Sequence, residues 1–261
     1  MGSGVAFLMY HELELPGRAL CQTEPGYTRY IVAASEFERQ MQHLKGLGYE
    51  GVTVSRAMEF GDGPQVALTF DDGCETDLIV AAPVLNALGF GATFYTTVGF
   101  LGKRGYMTEA QLRKLSDAGF EVGCHSMTHP YLSDLDEAGL RREIIDAKAQ
   151  LEQMIGRRVE HFSCPGGRFD ERVIQIAKES GYRSLATSRP QLNLKISDPY
   201  RLGRIAVLRQ TTQDELIKIC AGRGSWKLSA QQTVQSTAKR LLGNRLYDRV
   251  RAVLLGNSVS K

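Results

Sequence analysis

The sequence predicts an α/β protein built as a distorted (β/α) barrel of about seven strands with a C-terminal helical extension. From residue 66 onward, strand-like segments alternate with helical segments and short loops, which indicates a parallel sheet. The number of these units favours a closed or nearly closed sheet over an open one. Because the sequence has no internal repeat and no midway linker, we expect one domain over residues 1–225 and the extension over residues 226–261.

The segments before residue 66 are short and irregular. A strand is predicted over residues 5–10, and His11 follows its end. Residues 13–27 contain two prolines and two glycines, so they are predicted to form a loop. Ser35 is predicted to cap a helix that carries its apolar residues on one face and ends at Gly48. Further short strands are predicted over residues 30–33 and 51–54.

The segments after residue 73 alternate regularly between helix and strand. Predicted helices cover residues 76–88, 108–118, 134–155, 171–180 and 214–220. Predicted strands cover residues 92–97, 120–124, 161–164, 182–187 and 205–208. This order is typical of strands that run parallel to one another, each joined to the next by a helix on the outside of the sheet.

The central strand is predicted in residues 66–73, which read Val-Ala-Leu-Thr-Phe-Asp-Asp-Gly. Adjacent side chains on a strand point to opposite faces, so Asp71 and Asp72 can serve one site only if the chain turns, and Gly73 permits a turn. One carboxylate can then bind a metal while its neighbour handles a proton. The alternative is a turn whose acids cap the helix that begins near Thr76.

Other polar residues also stand at the ends of predicted strands. His11 follows the first strand, His125 and His129 follow strand 120–124, and Pro165-Gly166-Gly167-Arg168 follows strand 161–164. The loops after the strands of a barrel share one mouth, where active sites lie. We therefore expect all these residues to meet the two acids at that mouth.

The segment His125-Ser126-Met127-Thr128-His129 places two imidazoles four residues apart. Gly123 before it and Pro130 after it make a long helix improbable, so we expect the rings to converge from a tight loop. Two histidines and one carboxylate oxygen form the ligand set of a hydrolytic zinc site, which iron and cobalt also accept. The alternative is a pair of unrelated loop histidines.

These motifs together resemble the polysaccharide deacetylase family, the NodB-homology carbohydrate esterases. The resemblance rests on Thr69-Phe70-Asp71-Asp72-Gly73 followed by His125-Ser126-x-x-His129, and it extends over residues 5–208. It implies a distorted barrel and the hydrolysis of an N-acetyl group on an amino sugar in a polysaccharide, oligosaccharide or lipid-linked glycan. It also implies that Asp71 is the general base. Asp72, His125 and His129 would bind a divalent metal, for which we expect Zn²⁺ before Co²⁺, Ni²⁺ or Fe²⁺.

The general acid of the common family pattern, a late Leu-x-His motif, is missing, because no histidine follows His161. The segment Met9-Tyr10-His11 instead resembles the first strand of the circularly permuted branch of the family, typified by biofilm poly-N-acetylglucosamine deacetylases. That resemblance implies that His11 is the general acid. The alternative is a structural histidine at the end of its strand.

Residues 163–167 correspond to the family's Pro-Tyr-Gly motif, whose backbone N–H helps to hold the oxyanion. Here Gly166 follows Pro165 in place of the usual aromatic residue, so the backbone donor is expected to remain while an aromatic wall for the sugar is lost. The arginine that many members carry before this proline is also missing. Arg168 could take its place beside Asp71, or it could be an ordinary surface residue.

The positive charge of the chain is concentrated at its C-terminus. Residues 226–261 hold seven lysines and arginines but one acid, against a net charge of +3 for the whole chain. Leucines and valines between these bases predict a basic amphipathic helix, which would lie on an anionic membrane or an acidic partner, or else pack on the barrel. Nucleic acid is not an expected partner, because Tyr247 is the only aromatic residue that lies between the lysines and arginines of this segment.

Five scattered cysteines without a C-x-x-C pair argue against a disulfide framework and a cysteine zinc site. Cys74 and Cys164 are expected to be small buried residues. This cysteine usage, together with the absence of a recognisable signal peptide or long apolar stretch, predicts a cytoplasmic protein.

Two other functions remain open from the sequence. A metal-dependent amidohydrolase or esterase would keep the same acids and histidines but act on a non-sugar acyl substrate. A carbohydrate-binding relic of the fold would be expected to lack the metal ligands or the base, whereas every required residue type is present here.

Overall fold

A curled parallel sheet of seven strands, forming a half-barrel, runs through the structure, a computed structural model that describes residues 4–223. The neighbours in the sheet, from one end to the other, are β10 (Ile205–Ala206), β1 (Ala6–Tyr10), β5 (Gln65–Asp72), β6 (Thr93–Thr96), β7 (Glu121–Cys124), β8 (His161–Ser163) and β9 (Ser184–Ala186). An additional strand, β4 (Glu50–Val52), pairs with the beginning of β5. The predicted fold class, a distorted (β/α) barrel, is confirmed.

Helices connect these strands on the outside of the sheet. In chain order they are α1 (Pro25–Thr28), α2 (Ala34–Gly46), α3 (Val54–Ala57), α4 (Ala82–Leu88), α5 (Glu109–Asp117), α6 (Glu137–Arg141), α7 (Ala147–Ile155), α8 (Glu171–Glu179) and α9 (Gln213–Cys220). A π-helical turn, Asp77–Ala81, leads into α4, and a second one, Arg142–Asp146, joins α6 to α7. The regular alternation predicted after residue 73 is therefore present.

Side-chain alternation along β5 gives the sheet two different faces. On the face covered by helices, Tyr10, Phe70, Phe94 and Phe120 form a row of buried rings with successive centroid distances of 5.3, 4.7 and 5.4 Å. On the other face, Phe7, Ala67 and Tyr95 belong to a separate apolar cluster in the barrel interior. Asp71 follows Phe70, so the same alternation turns its side chain toward this interior.

The two ends of the curled sheet are linked through Ala186 and Leu202. Leu202 donates its backbone N–H to Leu185 at 3.0 Å, and Thr187 donates its own to the carbonyl of Leu202 at 2.8 Å. The segment after Leu202 then continues into β10, beside β1. The two ends of the half-barrel are thus bridged at one point, and the carboxyl ends of its strands face one mouth.

The structure differs from the sequence-based prediction mainly before residue 66. Helix α2 begins at Ala34 and its N-cap is Ala33, so the predicted cap at Ser35 is wrong. Ala33 also ends the short strand β3 (Val32–Ala33), which pairs with β2 (Leu13–Glu14). The chain therefore passes directly from strand to helix, and Ser35 falls within the first helical turn.

The remainder of the predicted architecture falls partly outside the described residues. The basic segment 226–261, with its predicted helix and its predicted contact with a membrane or an acidic partner, lies beyond residue 223. Among residues 4–223, the helices are too short or too polar to cross a bilayer.

Candidate active site

Asp71 lies in the barrel interior, where it forms a buried ion pair with Arg204. The guanidinium Nη1 donates to Asp71 Oδ1 at 2.7 Å and Nη2 donates to Oδ2 at 2.8 Å. The hydroxyl of Ser163 accepts from Arg204 Nη2 at 2.7 Å and lies 3.5 Å from Asp71 Oδ2. This two-bond geometry fixes the orientation of the Asp71 carboxylate.

Arg204 reaches Asp71 because of the way the sheet closes. The arginine immediately precedes β10, which neighbours β1, and β1 in turn neighbours β5. Its side chain runs through the interior, donates from Nε to the carbonyl of Thr187 at 3.0 Å, and is fully buried. Of the two alternatives for Arg168, a place beside Asp71 or an ordinary surface position, the first is wrong, because Arg204 occupies the place beside Asp71.

The ion pair determines the protonation state of Asp71. Burial alone would raise the pKa of this carboxyl, but the adjacent charge and hydrogen bonds of Arg204 hold the pKa well below its ordinary value. Asp71 is therefore ionised at neutral pH, as a general base must be.

The side chain of Asp72 points to the mouth of the barrel. It departs from the regular alternation of side chains along β5 because the chain turns at this residue. Its φ is +80°, in the left-handed region, and Gly73 follows with φ of +82°. The Oδ1 atom of Asp72 lies 3.6 Å from His125 Nε2 and 3.5 Å from His129 Nε2. That oxygen is buried and accepts no hydrogen bond from the described residues.

The donor set of Asp72, His125 and His129 fits a divalent cation. Ligand atoms of these three residues all lie within 4.8 Å of one another. A buried carboxylate oxygen without a hydrogen bond is unfavourable unless another positive partner satisfies it. Two imidazoles and one carboxylate form the three-ligand set of catalytic zinc sites, which leaves a coordination position for substrate or water.

The loop that carries the two histidines is held in an unusual backbone conformation. Both Ser126 and His129 have positive φ, at +68° and +66°. The Ser126 hydroxyl accepts from His129 N–H at 3.0 Å. Glu143, in the second π-helical turn, accepts from the backbone N–H groups of Met127 at 2.9 Å and Thr128 at 2.8 Å. These bonds offset the strain of the turn and set the position of His129.

The backbone carbonyl oxygen of Ser163 lies 2.8 Å from Nδ1 of His125 and orients the imidazole ring. A hydrogen bond from Nδ1–H leaves Nε2 facing Asp72 as the free ligand atom. Burial lowers the pKa of His125 to about 4, although the nearby Asp71 carboxylate opposes this shift. The ring is therefore neutral at physiological pH, which metal ligation requires.

His11 lies near the same mouth, after β1. Its ring packs against Tyr30, with centroids 5.0 Å apart, and its Nδ1 is buried without a hydrogen bond from the described residues. Burial lowers the pKa of His11, while the carboxylates of Asp72 and Asp71 act in the opposite direction. Tyr10 of β1 pairs with Phe70 of β5, so His11 and Asp71 follow at the same end of neighbouring parallel strands. The role of His11 as the general acid stays a prediction.

Residues 165–168 form a tight turn after β8, and Gly166 has φ of +60°. A Cβ at Gly166 would lie 2.9 Å from Cε1 of Tyr131, which would be a clash. The Arg168 guanidinium carbon lies 3.7 Å from the centre of the Tyr131 ring. Tyr131, two residues after His129, thus places an aromatic ring where a side chain at position 166 would lie.

The sequence-based reasoning missed three residues that position the site, namely Arg204, Ser163 and Glu143. Arg204 gave a weak signal, since a charged residue immediately before a buried strand needs a partner. Ser163 lay in a segment already compared with a family motif. Glu143 gave no signal, because its contacts depend on a π-helical turn that sequence periodicity does not reveal.

Comparisons with known proteins agree with this geometry. The family model "Polysaccharide deacetylase" matches residues 61–185, which contain all three candidate metal ligands and Asp71. The YxkH protein of Bacillus subtilis (strain 168) is 28% identical over 206 residues, which is 77% of this chain and 70% of YxkH. A peptidoglycan-N-acetylglucosamine deacetylase of Bacillus cereus is 32% identical over 125 residues, covering 47% of this chain and 56% of that protein.

The fold itself is shared with solved deacetylase structures. The Streptococcus pyogenes deacetylase PplD, in complex with acetate, superposes with a TM-score of 0.73 over 84% of this chain and 99% of its own, at 24% sequence identity. The sequence matches and the shared fold agree, and residues 61–185 of the chain carry a polysaccharide deacetylase domain.

Proposed function

We propose that this protein is a metal-dependent hydrolase that removes the N-acetyl group from an N-acetylated amino sugar of a glycan. The observation that carries the proposal is the convergence of Asp72, His125 and His129, with ligand atoms within 4.8 Å of one another. The ionised Asp71 stands beside them, with its Oδ2 atom 3.8 Å from His125 Nε2. A general base adjacent to a three-ligand cation set is the arrangement that amide hydrolysis needs.

A divalent cation held by Asp72, His125 and His129, for which Zn²⁺ is the first candidate, would supply Lewis-acid polarisation of the acetyl carbonyl and of the attacking water. Asp71 takes a proton from that water at its carboxylate, and Arg204 keeps the carboxylate ionised and correctly oriented until the transfer. Ser163 contacts both the proposed base and a proposed metal ligand. Its hydroxyl accepts from Arg204 of the ion pair, and its backbone carbonyl orients His125.

The leaving amine needs a proton, and His11 is the residue proposed to donate it. His11 stands at the end of β1, next to the strand that carries the base. The backbone N–H of Gly166, after Pro165, is proposed to stabilise the oxyanion that develops on the carbonyl oxygen of the acetyl group. Tyr131 and Arg168, stacked on one another beside Gly166, are proposed to contact the sugar ring.

The glycan class is suggested by the relatives, one of which is named as a peptidoglycan-N-acetylglucosamine deacetylase. Oligosaccharides of N-acetylglucosamine are therefore the first substrates to test, with N-acetylated non-sugar amines as the comparison. Acetate release from the sugars but not from the simple amines is expected. The reverse preference would favour an amidohydrolase acting on a non-sugar acyl group.

The metal requirement is tested by removing the cation with a chelator and restoring Zn²⁺, Co²⁺, Ni²⁺ or Fe²⁺ separately. Acetate release should disappear on removal and return with at least one of these metals. Metal content, measured by mass spectrometry of the elements, should be near one ion per chain in wild type and strongly reduced in His129→Ala.

The matched control for that variant is His43→Ala, which removes an exposed histidine from α2. It should keep both metal and activity. A His129→Ala protein with full metal content would contradict the proposed ligand set. Full metal content without acetate release from any sugar or amine would instead argue for a binding protein.

A further inference from the structure

Two thiols outside the proposed catalytic set lie in contact with each other. The Sγ atoms of Cys21 and Cys74 are 3.8 Å apart, although the residues are separated by 53 positions in the sequence. Cys74 is fully buried, whereas Cys21 is partly exposed. One member of the pair is therefore accessible to a small molecule from solvent and the other is not.

Cys21 is held in place by contacts on two sides. Its backbone N–H donates to both carboxylate oxygens of Glu12, each at 3.0 Å, and its thiol donates to the carbonyl of Gly105 at 3.1 Å. A Cβ at Gly105 would come within 2.6 Å of the Cys21 sulfur, so only glycine leaves room for that sulfur. The surrounding chain thus directs the Cys21 thiol toward Cys74.

Cys74 is fixed more firmly, because it directly follows the turn after β5. It forms an antiparallel bridge with Tyr106, and the hydroxyl of Tyr27 lies 3.6 Å from its sulfur. An ion pair between Arg18 and Glu75 ties the segment before Cys21 to the residue after Cys74. The segment that carries Cys21 is a loop, so it is the part able to shift.

We propose that Cys21 and Cys74 form a reversible disulfide when the protein meets a low-molecular-weight disulfide such as oxidised glutathione. A disulfide has an S–S length of about 2.05 Å, so the sulfurs must approach by roughly 1.8 Å. A movement of this size is within reach of a loop that is anchored at Glu12 and at the Arg18–Glu75 pair. The bond would replace the hydrogen bond from Cys21 to Gly105.

The chemistry balances as two successive exchanges. The exposed Cys21 thiolate attacks one sulfur of the small disulfide, which forms a mixed disulfide and releases one small thiolate. Cys74, whose sulfur already contacts that of Cys21, then attacks the Cys21 sulfur while its proton passes to the second small thiol, which leaves. Overall, two protein thiols are oxidised to one disulfide, and one small disulfide is reduced to two thiols.

The cross-link would join the segment after His11 to the turn that contains Asp72. Glu12, which anchors Cys21, directly follows His11, and Cys74 is two residues beyond Asp72. The bond formation itself does not depend on the proposed deacetylase activity, since it concerns only the two sulfurs. Its test therefore uses thiol chemistry rather than turnover.

The test is a count of free thiols in the full-length native protein after incubation with oxidised glutathione. The five thiols of the reduced chain should fall to three, with no glutathione retained, and dithiothreitol should restore all five. Peptide mapping without reduction should recover Cys21 joined to Cys74. A chain that retains five thiols, one that stops at glutathionylated Cys21, or one that joins a different pair would overturn the proposal.

Single substitutions supply the controls. Cys21→Ser removes the partly exposed thiol and should keep all four of its remaining thiols under the same treatment. Cys220→Ser, which removes a buried cysteine of α9 outside the pair, should fall from four thiols to two. If Cys21→Ser also lost two thiols, the disulfide would have formed elsewhere and the assignment would be wrong.

Discussion

The candidate site has two parts that are built differently. The inner group, Asp71, Ser163 and Arg204, lies inside the barrel, and its polar atoms are joined by short hydrogen bonds. The outer group, Asp72, His125 and His129, lies at the mouth, and it contains a buried carboxylate oxygen that accepts no hydrogen bond from the described residues. The fold alone satisfies the polar atoms of the first group, whereas the second group leaves a buried carboxylate oxygen for the proposed cation.

The backbone shows the same contrast. Asp71 continues the regular alternation of β5, but Asp72 and His129 adopt positive φ, which is uncommon for residues other than glycine. Backbone strain of this kind costs about 1–3 kcal/mol per residue and persists where the surroundings enforce it. Asp71, the proposed base, therefore takes its position from the regular geometry of β5, whereas the proposed metal ligands depend on turns that Glu143 and Gly73 support.

Asp71→Asn is expected to distinguish the two groups most strongly, because it should lower turnover without changing the metal content. The amide cannot accept a proton, so turnover should fall by about 10²–10⁴-fold. The outer group keeps all of its ligands, so the metal content should stay at the wild-type level. Acetate release and elemental analysis on the same preparation measure both quantities. Loss of metal together with activity would show that the two groups are not independent.

Arg204→Met tests what the inner group contributes to stability and to pH dependence. Removing one partner of a buried ion pair costs about 3–5 kcal/mol of unfolding free energy, which denaturant titration measures. The pair stabilises the fold above the ordinary carboxyl pKa, and this contribution is lost as pH falls toward the lowered pKa of Asp71. Without the arginine the pKa of Asp71 rises, so the acidic limb of kcat/KM should move to higher pH.

The matched control for this experiment is Arg204→Lys, which keeps the charge but not the two-bond geometry. We expect an intermediate loss of stability and a smaller displacement of the acidic limb. An acidic limb that stays in place in Arg204→Met would mean that a group other than Asp71 controls it.

His11→Ala tests whether the histidine at the end of β1, outside both groups, donates the proton. Cleavage of an N-acetyl sugar should slow by about 10²-fold, because the amine leaves poorly without an acid. Hydrolysis of an activated acetyl ester should change little, since its leaving group needs no proton. Rates measured for both substrates with the same enzyme preparation distinguish proton donation by His11 from a structural role. Equal losses would assign His11 a structural role.

The smallest effect is expected at the rim of the outer group, in Tyr131→Ala. Loss of the ring should raise KM for a chitooligosaccharide by about three- to tenfold, the range expected for loss of one aromatic contact. Metal content and kcat should be close to wild type, and Tyr131→Phe should keep the KM. A fall in kcat with unchanged KM would place Tyr131 in support of the His129 loop instead.

The sequence predicted the outer group better than the inner one. Asp72, His125 and His129 lie in two short motifs whose residue types suit a metal, and the resemblance of those motifs to a known family assigned the proposed ligands. Arg204 contacts Asp71 across 133 positions, and the contact follows only from the order β10, β1, β5 in the sheet. Arg168 was the nearest basic residue along the chain after β8, but nearness in sequence did not predict which arginine enters the interior.

The same limit explains the errors in the fold. The regular helices and strands after residue 73 follow from hydrophobic periodicity, which is reliable over long segments. Strand β2 and helix α1 contain two and four residues, too few for a period to emerge, so residues 13–27 were predicted to be a loop. Ser35 resembles a cap in isolation, but pairing of β3 with β2 moves the start of the helix to Ala34.

The π-helical turn around Glu143 makes the site sensitive to a change of length. Such a turn holds one residue more than an α-helix requires. Deleting Ile145 would restore ordinary α-helical winding and change the direction in which Glu143 projects relative to α7. The three hydrogen bonds that Glu143 accepts from Met127 and Thr128 would then be lost. Loss of a single codon would thus leave a well-wound helix and an intact barrel, and release the loop that holds His129.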